Sequence, residues 1–189
     1  MRAAGEATRQ RILAEARREF AEHGLAGARI NRIATNARAS KERLYAYFAT
    51  KDELFDAVCA GVIRSTAEEA QLSADDVPGF AGRLFDIYID DPDIVRLYDR
   101  ISMDGKPDFR SRGSDVYGTK TAELRRGQRT GAIDPAWDPA ALLSMILGLV
   151  RTMASEHHVL IPGTPGRPTP EERRAAVIQA TRKLIAPHG

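Results

Sequence analysis

Side chains with the types and spacing to do chemistry gather at few places in this 189-residue chain. The main one is the stretch 30–48, INRIATNARASKERLYAYF. Two short helical patterns, 30–37 and 41–48, flank a break at Arg38-Ala39-Ser40. Ile30, Ile33, Ala34 and Ala37 share one helical face, and Leu44, Tyr47 and Phe48 repeat the spacing. The Ser40 hydroxyl can cap the second pattern by accepting a free amide of its first turn. Two helices joined by so short a turn make a helix-turn-helix, whose second helix can enter the major groove of DNA. A metal reading is invited by His157-His158. Adjacent residues point to different sides of a helix, and no Cys or spaced carboxylate joins them, so the pair reads as helix-end cations instead. Cys59 has no motif around it and reads as a small buried hydrophobe, not a nucleophile. The sequence shows no glycine-rich phosphate loop, no nucleophile elbow and no supported pair of carboxylates. No catalytic residue, metal ligand or cofactor is therefore expected.

The elements that must position the stretch are all helical. Residues 8–23 read as a first helix, with Ile12, Leu13, Ala16 and Phe20 as its apolar stripe and Gly24 as a left-handed stop. Thr50 and Glu53 form a capping box ahead of a long helix bearing Leu54, Val58 and Val62 and running to about residue 71. Past a polar break at 73–79, Phe80, Leu84, Phe85, Tyr88 and Ile89 make another stripe. Asp91-Pro92 and Asp138-Pro139 each pair an N-cap residue with proline at the first helical position. A polar helix over 108–130 lies between them, weakened by Gly113, Gly118 and Gly127. The helix after Asp138 is apolar almost all round, so it must be covered on more than one side, and a partner chain could supply one cover. Thr169, Pro170 and Glu172 open a last helix with Val177, Ile178, Thr181, Leu184 and Ile185 on one face. No strand pattern or repeat appears. The expectation is an all-α chain of about nine helices: a three-helix helix-turn-helix domain over 1–52, then a helical ligand-binding and dimerisation domain over 53–189. The long helix after Thr50 would tie the two together.

Composition is that of a soluble globular protein, 43% hydrophobic and 29% charged. There is no run of apolar residues long enough for a transmembrane helix and no signal peptide, and a single cysteine excludes an internal disulfide. A cytoplasmic protein without membrane attachment is expected. Net charge is only +2, but residues 1–60 carry +3 and the remainder −1. That lean suits phosphate contacts at the N-terminal end, although a solvated helical surface accounts for it almost as well.

Residues 8–56 resemble the DNA-binding domain of the TetR (tetracycline-repressor-like) family of bacterial transcription regulators. The residues that carry the likeness are Ile12-Leu13, Phe20, Gly24, Ile33-Ala34, Ala37, Ser40, Leu44-Tyr45-Ala46-Tyr47-Phe48 and Lys51-Asp52-Glu53-Leu54. The string Leu-Tyr-x-Tyr-Phe followed by Lys-x-x-Leu is very specific to that family. The remainder of the chain matches in helical pattern and length. The resemblance implies that Lys41, Glu42, Arg43 and Ala46 face base edges, where Arg43 could bind guanine bidentately and Glu42 could accept from cytosine. A pairing of Glu42 with Arg43 or Arg38 is the alternative. It implies further that Tyr45, Tyr47 and Lys51 touch phosphates or brace the domain; Ser40, the cap of the second helix, is counted with the DNA-binding residues, and Leu44 and Phe48 read as core. Arg38 stands where the family usually has a left-handed glycine, at some cost in strain, and could gain a phosphate contact. Ala28-Arg29 replaces the usual threonine pair, so the hydroxyl cap of the first helix of the motif is missing and Arg29 would stand in as a cation.

The same resemblance implies a small-molecule-responsive repressor, a homodimer through the helices starting near Asp138 and Thr169, and a near-palindromic double-stranded DNA operator. It implies an effector cavity in the second domain, for which Phe85, Tyr88, Met103, Tyr117, Met145, Leu149 and Met153 are the candidates, ordinary core being the alternative for each. The rival reading is a helical ligand-binding protein or an enzyme whose helix-turn-helix is only structural, and the missing catalytic constellation weighs against the enzyme.

Overall fold

The computed structural model describes residues 2–104, 114–155, 166 and 168–187. Their fold is all-α, with nine helices among the described residues: α1 Arg2–Gly27, α2 Ile30–Asn36, α3 Lys41–Tyr47, α4 Lys51–Glu69, α5 Val77–Asp90, α6 Pro92–Asp104, α7 Ser114–Arg129, α8 Pro139–Ala154 and α9 Pro170–Ile185. They fall into two compact units, one from 1–64 with 96–113, the other from 65–95 with 114–189, so the division passes through α4 and α6. None of these helices is long and apolar enough to cross a membrane.

In the first unit α1 begins six residues ahead of the expected start at Thr8. Ile12, Ala16 and Phe20 are buried as its stripe requires, while Leu13 is only half-buried. Gly24 does adopt the left-handed region (φ 66), but one further helical turn follows and the helix is kinked there, not ended. Phe20 packs edge-on against Phe55 of α4 at 5.0 Å between ring centres. Leu54, Phe55, Val58, Cys59, Val62 and Ile63 are all buried, a wider face than the i, i+4 pattern alone suggested. Cys59 is the small buried hydrophobe expected, and burial pushes its thiol up to about 12.

The second unit is built on α5, whose Val77, Phe80, Ala81, Gly82, Leu84, Phe85 and Tyr88 are buried against α8 and α9. Gly82 lets α9 come close, since a Cβ there would lie 2.9 Å from Ile178 Cδ1. Two of the caps read from sequence are present here, those of α8 and α9. Asp138 accepts the Ala140 and Ala141 amides at 3.0 and 2.9 Å. Thr169 and Glu172 complete a reciprocal box at 3.2 and 2.8 Å. Trp137 donates from Nε1 to the Leu184 carbonyl at 3.0 Å, fixing the loop before α8 to the end of α9. On α8, Leu142, Leu143, Ile146 and Val150 are buried, but Met145 is 37% exposed and Leu147 and Leu149 are half-buried. One chain covers only part of this apolar helix.

Candidate nucleic-acid interface

The helix-turn-helix is held by an apolar frame. Ile33, Ala34 and Ala37 of the α2 segment and Leu44 and Phe48 around α3 are buried with Ile12, Ala16, Phe20 and Leu54. Leu44 and Phe48 are thus core, as read. The turn closes through Arg38 N–H to the Thr35 carbonyl at 3.1 Å and Ala39 N–H to the Ala34 carbonyl at 2.9 Å. Arg11 Nε of α1 reaches the Ala37 carbonyl at 3.2 Å. Arg38 has φ 52, so a long side chain does occupy the left-handed position where glycine is at ease. The Ser40 hydroxyl accepts the Arg43 amide at 3.1 Å and caps α3.

That frame leaves Lys41, Glu42, Arg43, Tyr45 and Ala46 exposed on α3. The Lys41 ammonium lies 5.9 Å from the Tyr45 ring centre, and Tyr45 is 41% exposed. The Glu42 carboxylate turns back on its own helix start: its own amide, then the Ser40 hydroxyl, hold it below the usual carboxylate range. Tyr47 and Lys51 are engaged inside the unit. The Tyr47 hydroxyl donates to the Gly5 carbonyl at 2.9 Å. Lys51 Nζ donates to the Ala28 and Ala26 carbonyls at 3.3 and 3.4 Å. Both side chains are thus bonded to main-chain carbonyls of their own unit.

Two residues outside the sequence reading shape the start of α2. Its N-cap, Arg29, has no side-chain cap. Glu19, a carboxylate of α1 only 6% exposed, takes the Arg29 amide at 2.8 Å and the Arg32 guanidinium through Nε and Nη2, both at 2.6 Å. Burial opposes the charged carboxylate, but the Arg32 and Arg29 hydrogen bonds outweigh it and hold Glu19 below the usual carboxylate range. The missing hydroxyl at Ala28-Arg29 was the available signal: an amide without a local cap needs an acceptor from elsewhere. Arg29, Ile30, Asn31, Arg32 and Lys41 line an open concavity of about 500 Å³ on this side of the unit. Three cations and no carboxylate stand along it, which suits an oxyanion.

The effector candidates divide. Phe85 and Tyr88 are buried side by side on α5, and Tyr117 of α7 is half-buried. Burial and then the Tyr117 hydroxyl push the Tyr88 phenol up, and burial does the same for Tyr117. The Arg173 guanidinium lies 5.7 Å over Phe85 and donates to the Met153 carbonyl at 2.7 Å. Leu149 and Met153 are half-buried, and Met145 faces outward. The Met103 side chain and His157-His158 lie outside the described residues.

Residues 12–58 match the profile of bacterial regulatory proteins of the tetR family, and 76–183 match the tetracyclin repressor-like C-terminal domain. The chain is 32% identical to the HTH-type transcriptional repressor SCO4008 of Streptomyces coelicolor, over 95% of this chain and 96% of that protein. Among solved structures it is similar to a candidate transcriptional regulator, SCO4942, of the same organism: 39% identity, TM-score 0.81, covering 94% of this chain and 98% of that one. A TetR family regulator from Marinobacter aquaeolei VT8 covers both chains fully at TM-score 0.75, and at 22% identity that likeness speaks for the fold alone.

Proposed function

The chain belongs to the tetR family of bacterial regulatory proteins, a DNA-binding transcription regulator, and on that premise we propose that it is a repressor that binds a near-palindromic operator as a homodimer and leaves it when a small molecule binds the second unit. The observation that carries the reading is the presentation of α3: Lys41, Arg43 and Ala46 are exposed along a short helix that Leu44 and Phe48 lock into the core. Arg43 supplies base readout, and Lys41, Arg29, Ser40, Arg38 and Tyr45 supply contacts to the backbone that position the helix. One such helix covers half a site. Two copies related by a two-fold axis would read two half-sites. The incompletely covered α8, with Met145, Leu147 and Leu149, and the neighbouring α9 supply the surface for pairing. Phe85, Tyr88, Tyr117, Leu149 and Met153 are the proposed surroundings of the effector. A ligand there acts only by its differential affinity for the DNA-competent and incompetent dimers. No reaction is assigned to the protein, and its proposed place is the cytoplasm.

The test is selection of duplexes from a random pool by the purified protein, followed by footprinting and sedimentation of the complex. Enrichment of an inverted repeat bound by two chains is expected. Enrichment of no sequence, with binding no tighter than to scrambled duplex, would sink the reading.

A further inference from the structure

A capping box joins two groups within one helix start: the N-cap side chain takes the amide at the third helical position, and a carboxylate at that position takes the N-cap amide. At α2 neither group is available, because the N-cap is Arg29 and the third position is Arg32. Glu19 supplies the carboxylate from α1. One oxygen takes the Arg29 amide and Arg32 Nη2, and the other takes Arg32 Nε. The fork of Arg32 is therefore bound on one edge, and its side chain stays 41% exposed along the concavity shared with Arg29 and Lys41. A guanidinium so fixed has already given up its rotamer freedom on folding and does not lose it again on meeting a ligand.

We propose that Glu19 is a positioning residue for DNA binding: by holding Arg32 and the Arg29 amide together it presents Arg29, Arg32 and Lys41 as one preformed cradle for backbone phosphate. The proposal rests on the DNA-binding reading above. Glu19 stays buried behind the guanidinium and touches no DNA, and the concavity keeps a positive balance with the pair formed. Phosphate contacts carry no base information, so the loss of Glu19 weakens every duplex alike.

The experiment compares the full-length wild type with Glu19→Gln, Arg32→Gln and the double variant. Each is titrated by fluorescence anisotropy against the duplex enriched by the wild type and against a scrambled duplex, from 50 to 200 mM KCl, and its thermal unfolding is recorded. For Glu19→Gln the expected result is about tenfold weaker binding to both duplexes and a salt slope shallower by about one, the loss of roughly one phosphate contact. The double variant, which leaves no unpaired charge behind, regains thermal stability over Glu19→Gln but not affinity. A purely structural Glu19 gives a different pattern: melting falls, but affinity and salt slope of the folded protein equal those of the wild type, and that result overturns the proposal. If Glu19→Gln does not fold, the double variant decides, and wild-type affinity and slope in it overturn the proposal equally. A wild type that binds neither duplex overturns the DNA reading itself, whereas wild-type binding with an unaffected Glu19→Gln removes only the role of Glu19.

Discussion

The Tyr47 hydroxyl donates to the carbonyl of Gly5, forty-two positions earlier, at 2.9 Å. This bond ties the last residue of α3 to the first turns of α1, which the apolar pattern of the sequence did not include in the helix. The approach is close: a Cβ on Gly5 would lie 3.3 Å from that oxygen. Lys51 is likewise bonded within the unit, to the Ala26 and Ala28 carbonyls, so two side chains for which the family likeness allows either a phosphate contact or a bracing role both have intra-unit partners.

Tyr47→Phe removes the bond and leaves the ring. Stability should fall by about 1 kcal/mol, the net worth of one hydrogen bond, seen as a lower urea midpoint with unchanged m-value. If the hydroxyl serves only as a brace, DNA affinity of the folded variant stays within about threefold, under ~0.7 kcal/mol. A tenfold or larger loss of affinity at unchanged stability contradicts the brace and places the hydroxyl on a phosphate.

At Arg38 stability and DNA contact can be measured apart. Its left-handed conformation (φ 52) costs an L-residue about 1–2 kcal/mol, and glycine returns about 0.5–1 kcal/mol of that as extra chain entropy. Arg38→Gly should therefore stabilise the protein by at most about 1.5 kcal/mol. If Arg38 meets a phosphate, the same change should make the salt slope of DNA binding shallower by about one. A variant that is more stable and binds DNA with an unchanged slope shows that Arg38 has no contact there.

Helical periodicity made the architecture legible because each helix buries a stripe, and Ser40, Asp138 and Thr169 marked starts that the structure keeps. Tertiary partners were not legible. Glu19 reads as one more surface charge beside an apolar stripe until α2 is folded against it. Gly127 read as a weakness in α7, yet a Cβ there would overlap Ile133 Cδ1, so the glycine makes room for a fully buried side chain. The early start of α1 was hidden because residues 2–7 offer no apolar stripe; polar bonds meet it instead, from Tyr47 to the Gly5 carbonyl and from Thr8 to the Ala4 carbonyl. Met145 shows the converse. Its place in an apolar run suggested interior, and the fold of one chain leaves it outside.

Lys120 gives the second unit a pH signature. It is buried, with its ammonium on the Ala70 carbonyl at 2.9 Å and 4.5 Å from the Phe80 ring centre. Burial, and then the Arg83 charge, bring it down from its ordinary 10.5 to about 8. The unfolded chain thus holds this proton through a range where the folded chain has lost it, so folding gains stability as pH rises from about 8 to about 10.5. Below that window both states are protonated and the cost of burying the charge is present in full. Thermal unfolding of wild type and Lys120→Met between pH 7 and 10.5 should show the wild type gaining on the variant across this interval. Taking the difference removes Tyr88 and Tyr117, which titrate in both proteins. Parallel curves show that Lys120 keeps its proton and sits in wetter surroundings than its burial implies.

Arg43 is the test of base reading. Its amide goes to Ser40 at 3.1 Å, and among the described residues its guanidinium has no hydrogen-bond partner. Arg43→Ala should therefore leave stability within about 0.5 kcal/mol of wild type, as surface changes do. Glu42 is not paired with it, because that carboxylate turns to its own amide and to Ser40; Arg43 has nothing to give up when a base edge arrives. A bidentate contact to guanine is worth about 1–3 kcal/mol of discrimination. Selection with Arg43→Ala should then lose the preference at one position of each half-site while the other positions hold. Lys41→Ala should weaken all sequences by a similar factor and leave the ranking intact. Were Arg43→Ala to enrich the wild-type sequence unchanged while binding all duplexes more weakly, Arg43 would be a backbone contact, and base reading would pass to its neighbours Glu42 and Ala46.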